Sequence, residues 1–399
     1  MILVETHDFR PGSKDFKKLA NLLHLSKNLY NATLYAVRQH FFATGKFLSN
    51  AKVNKTFITR RDVDYYALPT KVSQQTQRLV DQNFKSFFAA RKAGLSSARL
   101  PRYLPKDGYQ VAMFTNQALS FGTRTVREGH LRLSGVDLVL KTRLLKVKFA
   151  RVVHKGSFIT VELGHEVEPQ PRRSGGFAGL DLGVNNLATI AFENRRPLIV
   201  NGRPVKSVNQ FFNKTMAKLR SRQDSTGVKR TTRRMNGLSR WRTTKLNDYL
   251  HKSSRHVVNQ LVTNNVATLV VGYNQGWKQG TTMGAVNNQK FVSIPFTKFV
   301  SMLTYKCELA GIDVVVQQES HTSKCSFLDH EDVGHHEEYV GRRVKRGLFK
   351  TATGKLVNAD VNGALNILKK YLVKVAVDVY QHVNTVAACS TPSVFTVNT

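Results

Sequence analysis

Apolar residues recur at helical spacing over 13–38, SKDFKKLANLLHLSKNLYNATLYAVR, behind Ser13 as an N-cap candidate. They do so again over 70–92, where Val72, Leu79, Val80, Phe84, Phe87 and Phe88 fall on one face. The opening MILVETHDFR reads as a short strand closed by Pro11-Gly12. Between 99 and 168 the pattern changes to short alternating pieces, QVAMFTN, HLRLSG and SFITVELGHEV, separated by Gly and Lys/Arg turns. A small barrel or sheet is expected there. PQPRRSGG, 169–176, reads as a linker. Beyond it FAGLDLGVNNLATIAF predicts a strand, a tight turn at Gly183–Asn186 and a second strand. A basic helical stretch over 203–256 follows, and YLHKSSRHVVNQLVTNN leads into the strand VATLVVG. IPFTKFVSMLTYKCELAG leads in the same way into IDVVVQQE, and ADVNGALNILKKYL closes the series as a short helix. This order predicts an α/β sheet with crossover connections. The stretch after it is rich in Val, Thr and Ser without a period, and weak order is expected for it.

At 399 residues the chain can hold two or three domains. Charge changes the picture most. Lys and Arg total 61 against 26 acids, a net +35, so a polyanion is the expected partner. No basic amphipathic helix or lipidation signal points to a membrane instead. Three cysteines, Cys307, Cys325 and Cys389, cannot build a disulfide framework and suit a reducing interior. The N-terminus lacks a signal-peptide apolar core, and no run of 18 apolar residues suggests a span.

Two acids stand out. Asp181 interrupts the apolar GLDLG, where a carboxylate is costly unless it is hydrogen-bonded or metal-bound. Asp360 opens the ADVNGALNIL helix, where an N-cap role is the plain alternative. GLDLGVNNLATI and ADVNGALNIL, with basic helices between them, resemble the RuvC nuclease domain of the TnpB family. These are RNA-guided DNA endonucleases of insertion sequences, related to type V CRISPR effectors and to Fanzor proteins. LYNATL, SQQTQRLVDQNFKSFF and RLPRY…FTN resemble that family's upstream segments, so the likeness covers most of 1–372.

The resemblance implies an α/β chain with an RNase H-like (RuvC) nuclease domain over 171–372, carrying a basic helical insertion at 203–256 and a ribbon-like insertion at 320–358. It implies a wedge-like β-barrel from 1–10 and 99–170, a helical recognition domain over 11–98, and a tail over 373–399. Two Mg²⁺ ions held by separated carboxylates are implied for phosphodiester hydrolysis. Where the family has its second acid, this chain has Gly272, in TLVVGYNQGWKQG. Glu319, at the end of IDVVVQQE, should reach the same edge of a parallel sheet, and Asp181, Glu319 and Asp360 become the expected catalytic set. Asp329, Glu331 and Asp332 lie in a polar loop and rank below it.

The family's four-cysteine zinc ribbon is missing, with only Cys325 in the interval beside His321, His330, His335 and His336. Zinc is not expected, and GRRVKRGLFKTATGKL is expected to replace the ribbon as a hairpin. Over 203–256 fifteen Lys/Arg face only Asp224 and Asp248, too one-sided for intrahelical pairing. Lys218, Arg220, Arg222, Lys229, Arg230, Arg233, Arg234, Arg240, Trp241 and Arg242 are the expected phosphate and base contacts. Lys71, Gln74, Thr115 and Asn116 match the family positions that read a flanking DNA motif. The implied partners are a guide RNA and target duplex DNA, with a single copy of the chain. The location is cytoplasmic and nucleoid-associated in a prokaryote, nuclear in a eukaryote. Two other functions stay open: a nuclease-inactive guided repressor, which Gly272 supports, and a guide-independent transposase or resolvase-type nuclease.

Overall fold

The computed structural model describes residues 1–121, 129–227, 231–274 and 284–397. Two compact units divide at Val167 and Glu168.

The first unit opens with strand β1 (Ile2–Phe9) and helix α1 (Lys14–Thr44), capped by the Ser13 side chain, which accepts from Phe16 N. Gly45 ends α1 in the left-handed region at φ 66°. α1 therefore extends beyond the expected Arg38. Helices α2 (Asn50–Thr59) and α3 (Val63–Tyr66) lead to α4 (Thr70–Lys92). Strands β2 (Ala112–Thr115), β3 (Leu119–Phe121), β4 (His130–Leu133), β5 (Val139–Lys141), β6 (Phe149–His154) and β7 (Ile159–Glu166) complete it. They form a β1-β7-β6-β2 sheet and a β3-β4-β5 sheet, both antiparallel. The expected barrel is not closed by hydrogen bonding: among the described residues β1 and β2 remain the two edges of the four-stranded sheet. Leu23, Phe84, Phe114, Leu131 and Val161, all fully buried, belong to one apolar core that unites helices and strands.

The second unit contains β8 (Gly176–Leu182), β9 (Asn186–Phe192), β10 (Leu198–Asn201), α5 (Arg203–Asp224), α6 (Arg233–Thr263), β11 (Val266–Gly272), α7 (Ala285–Val292), α8 (Phe296–Leu309) and β12 (Asp313–Gln317). After a long loop come β13 (Arg342–Lys345), β14 (Leu348–Lys350), β15 (Leu356–Asn358), α9 (Ala359–Lys374), α10 (Val379–His382), α11 (Thr385–Ala388) and β16 (Ser393–Phe395). The sheet order is β12-β11-β8-β9-β10-β16. β8, β11 and β12 run parallel, while β9 is antiparallel to both neighbours. Pairing of Val271 with Leu180 and of Gly272 with Gln317 brings the ends of β8, β11 and β12 to one edge. Helix α9 packs on β8, β9 and β11 through Val361, Ala364, Leu365 and Leu368.

The 203–256 stretch is two helices, and α6 runs on through the apolar period to Thr263. GRRVKRGLFKTATGKL forms the expected hairpin, with β15 added to make three strands. The tail departs from expectation. β16 pairs in parallel with β10, and Val379, Val383 and Val397 are buried. Each such valine contributes about 1.5 kcal/mol or more, which a stretch without visible period conceals in the sequence. Among the described residues no helix is long and apolar enough to cross a membrane.

Candidate active site at the edge of the sheet

Asp181 is the penultimate residue of β8, one step past the Leu180–Val271 pair. Its carboxylate lies against α9, since a Cβ built on Gly363 would stand 3.2 Å from Oδ2. Asp360 is the second residue of α9. The cap is Asn358, whose side chain accepts from Asp360 N and Val361 N at 3.0 and 3.1 Å. Asp360 is thus not consumed in capping, and both its oxygens face other partners. Asn186 Nδ2 donates to Oδ2 at 2.6 Å, and an Arg343 guanidinium nitrogen donates to Oδ1 at 3.1 Å.

Glu319 lies two residues beyond β12 rather than on the strand. Its backbone N donates to Asn274 Oδ1 at 3.2 Å, and its carbonyl accepts from Thr322 Oγ1 at 2.8 Å. The side chain turns back over the end of β11: a Cβ added at Gly272 would stand 3.2 Å from Glu319 Oε2. The carboxylate therefore occupies the space in front of the very residue where an acid was missing. Oε2 is buried and accepts no hydrogen bond among the described residues.

Electrostatics follow from this crowding. Burial raises the Asp181 pKa well above the ordinary carboxylate range, and the negative charges of Asp360 and Glu319 raise it further. Burial alone pushes Glu319 up to about 7. Asp181 and Glu319, both with pKa raised by burial, stand beside Asp360, and with an oxygen on Glu319 unpartnered among the described residues they form a site short of positive charge. Divalent cations would satisfy it, and few protein oxygens with room for water and phosphate suit Mg²⁺. The donor set fits the expected ions.

The other predicted residues separate. Lys218, Arg220, Arg222, Arg233 and Arg234 are exposed on α5 and α6, and Arg240 is half-buried. Trp241 is partly exposed and stacks edge-on against Phe211 at 5.1 Å. Arg242 turns inward instead. Its Nε donates to Asn209 Oδ1 at 2.7 Å and a second nitrogen to the Ser293 carbonyl at 3.2 Å, so it ties α6 to α5 and to the turn before α8. Lys229 and Arg230 lie outside the described residues. In the first unit Lys71 and Gln74 are half-buried in the first turns of α4, which packs on β2. Thr115 ends β2 with a buried Oγ1 that has no partner among the described residues, and Asn116 is exposed with Oδ1 accepting from Gln117 N.

Sequence reasoning missed the residues that orient the site. Asn186 and Asn274 hold Asp360 and Glu319, and Arg343 pairs with Asp360. On α9, Asn362 and Asn366 are buried and clamp the loop after Glu319. Asn362 Nδ2 donates to Cys325 O at 2.8 Å, and Asn366 Nδ2 to Thr322 O at 2.9 Å. Lys369 Nζ donates to the Glu331 carbonyl at 2.9 Å. Polar residues at 362, 366 and 369, spaced four and three along an otherwise apolar helix face, were the available signal.

That loop also brings together Cys325, Glu331 and His336, with ligand atoms within 4.8 Å of one another. Each is already engaged. Glu331 accepts from Ser326 N and Val340 N at 2.6 and 3.0 Å, His336 Nε2 meets the Asp332 carbonyl at 2.7 Å, and the Cys325 thiol meets the Gly334 carbonyl at 3.6 Å. His321 and His335 lie ring to ring nearby, and His330 stacks on Tyr380.

Residues 158–278 match the family model OrfB_IS605, described as a probable transposase, and residues 296–367 match the Cas12f1-like TNB domain. The TnpB-like protein ORF457 of Acidianus two-tailed virus is 23% identical over 90% of this chain and 84% of its own length. The CRISPR-associated endodeoxyribonuclease Cas12f2 of a Micrarchaeota archaeon is 28% identical over 49% of this chain and 37% of its own length. In fold, the mini-RNA-guided endonuclease CRISPR-Cas_phi3 is similar over 92% of each chain, with a TM-score of 0.51 and 8% identity. The two family-model matches follow one another along the chain, an OrfB-like stretch and then a Cas12f1-like one. The chain is thus similar to a TnpB-like protein over most of its length and to a Cas12f protein over about half of it.

Replacing Asn186 by alanine should free Asp360 to rotate while leaving the fold intact. The expected result is a tenfold or greater loss of cleavage rate at saturating DNA, with unchanged guided binding and partial recovery in Asn186→Gln. A fall in DNA affinity without a fall in rate would refute the orienting role.

Proposed function

We propose that the protein is a transposon-associated RNA-guided DNA endonuclease that cuts DNA beside a short flanking motif. The observation that carries the reading is the meeting of Asp181, Glu319 and Asp360 at the end of three neighbouring strands and one helix, in a chain of net charge +35. These three carboxylates would hold two Mg²⁺ ions. Bound there, the ions supply an activated water and charge stabilisation for the leaving 3′-oxygen. The chain's own part is positional. Asn186 fixes the Asp360 carboxylate, and Asn274 fixes the backbone at Glu319.

The exposed Lys and Arg of α5 and α6 attract phosphates without reading sequence, which suits a guide RNA paired with its target strand. Trp241 and Phe211 offer a ring surface beside them for a base. In the first unit, Lys71, Gln74, Thr115 and Asn116 are the candidates for reading the flanking motif, within the wedge-like and helical recognition parts. The working particle is one chain with one guide RNA, cytoplasmic in a prokaryotic host and nuclear in a eukaryotic one. Zinc has no part in this reading.

The test begins with purification from cells carrying the flanking genomic sequence. A discrete RNA should copurify, and the complex should cut only DNA that matches that RNA and carries one flanking motif, in Mg²⁺ and not in EDTA. Cleavage that ignores the RNA sequence would refute guidance. RNA-directed binding without cutting would leave a repressor.

A further inference from the structure

Of the three acids, only Asp360 pairs with a cation among the described residues, and that cation is Arg343. The guanidinium also acts on Asp181, where it opposes part of the upward push from burial and from the neighbouring carboxylates. Arg343 comes from β13, the outer strand of the hairpin that runs through β15 directly into α9. The base of that hairpin is fixed, because Phe349 and Val357 pair across β14 and β15 and are buried with Ala359. The arginine side chain is not fixed in this way: it is 48% exposed and the Asp360 side chain 27%. A half-exposed ion pair holds its partner weakly and can exchange.

We propose that Arg343 is a resident counter-ion that occupies Asp360 Oδ1 until a divalent cation displaces it, so that the hairpin sets the cation concentration at which the site loads. The proposal rests on the metal-binding reading of the three acids given above. Displacement has a direction, since Oδ2 stays with Asn186 while Oδ1 changes from guanidinium to metal. An exposed pair of this kind corresponds to a competition of about two- to fivefold in apparent metal affinity. It also couples loading to nucleic acid, because a phosphate that draws Arg343 away leaves Oδ1 open to the cation.

The experiment is Mn²⁺ binding to the full chain freed of nucleic acid, read as the free-ion signal in electron paramagnetic resonance. Arg343→Gln should bind Mn²⁺ about two- to fivefold more tightly than the wild type, and Arg343→Lys should fall near the wild type. General damage to the fold would weaken binding, so a gain separates competition from a structural role. Arg343→Gln binding equal to or weaker than the wild type, with unchanged circular dichroism, overturns the proposal. Asp360→Asn is the control for the parent reading. If it binds as much Mn²⁺ as the wild type, the three-acid metal site itself is wrong, and the counter-ion with it.

Discussion

Replacing Asp181 by asparagine is expected to lower cleavage of guide-matched DNA by three orders of magnitude or more, with guided binding unchanged. The size of the effect follows from position. Asp181 interacts with both of the other carboxylates, so its loss would take the central negative charge out of the proposed cation site. Asparagine preserves shape and removes a buried charge, so thermal stability in EDTA should hold or rise. The measurement is single-turnover cleavage alongside a filter-binding assay on the same complex. Cutting that survives the substitution would remove the acid site from the mechanism.

The second large effect concerns the position of the middle acid. Glu319→Gln should abolish cutting to a similar degree, and the defect should be repairable from the adjacent strand. A Cβ at Gly272 stands 3.2 Å from Glu319 Oε2 and meets Ile367 Cδ1 at 2.4 Å. Gly272→Glu combined with Glu319→Gln, in an Ile367→Val background that removes Cδ1, should cut at least tenfold faster than Glu319→Gln alone. Failure of that rescue in a folded variant would mean the two positions do not share one carboxylate site.

The same residue gives a pH signature. Its folded pKa of about 7 lies above the value of an unfolded glutamate, so the folded state binds the proton more tightly. In EDTA the resulting cost is absent below the unfolded pKa, grows as pH rises, and is complete above about 7. The melting temperature in EDTA should therefore fall between about pH 5 and about pH 8, and Glu319→Gln should flatten the fall. Because only ionised carboxylates hold a cation, the rise in melting temperature caused by Mg²⁺ should grow over the same interval.

The outer acids could be read from sequence because each interrupts a strong period: Asp181 breaks an apolar strand, and Asp360 stands at the start of an amphipathic helix. Glu319 required one further rule, that parallel neighbours end at a common edge. It was legible although the strand stops two residues short of it. The contacts that orient these acids were not legible. Asn186 and Asp360 are 174 positions apart, and no local pattern links an asparagine after a turn to a helix start so distant. Arg242 illustrates the opposite failure. In a run of fifteen basic residues nothing marks the one that turns inward to Asn209, and only the packing of α5 on α6 does so. The open edges of the first unit's sheet and the ordered tail lay beyond period counting for a similar reason: both depend on which strands find each other.

Helix α9 has a dual allegiance with a practical consequence. One side of its first turn presents Asp360, while Asn362, Asn366 and Lys369 grip the loop that follows Glu319. The segment that a graft would have to carry is therefore wider than the stretch that looks inserted. A donor ribbon spliced between 320 and 358 would arrive without its anchors, and the error would be passed through one rigid rod to the acid. Engineers who trade this segment between relatives should move it together with the helix, as a single casting.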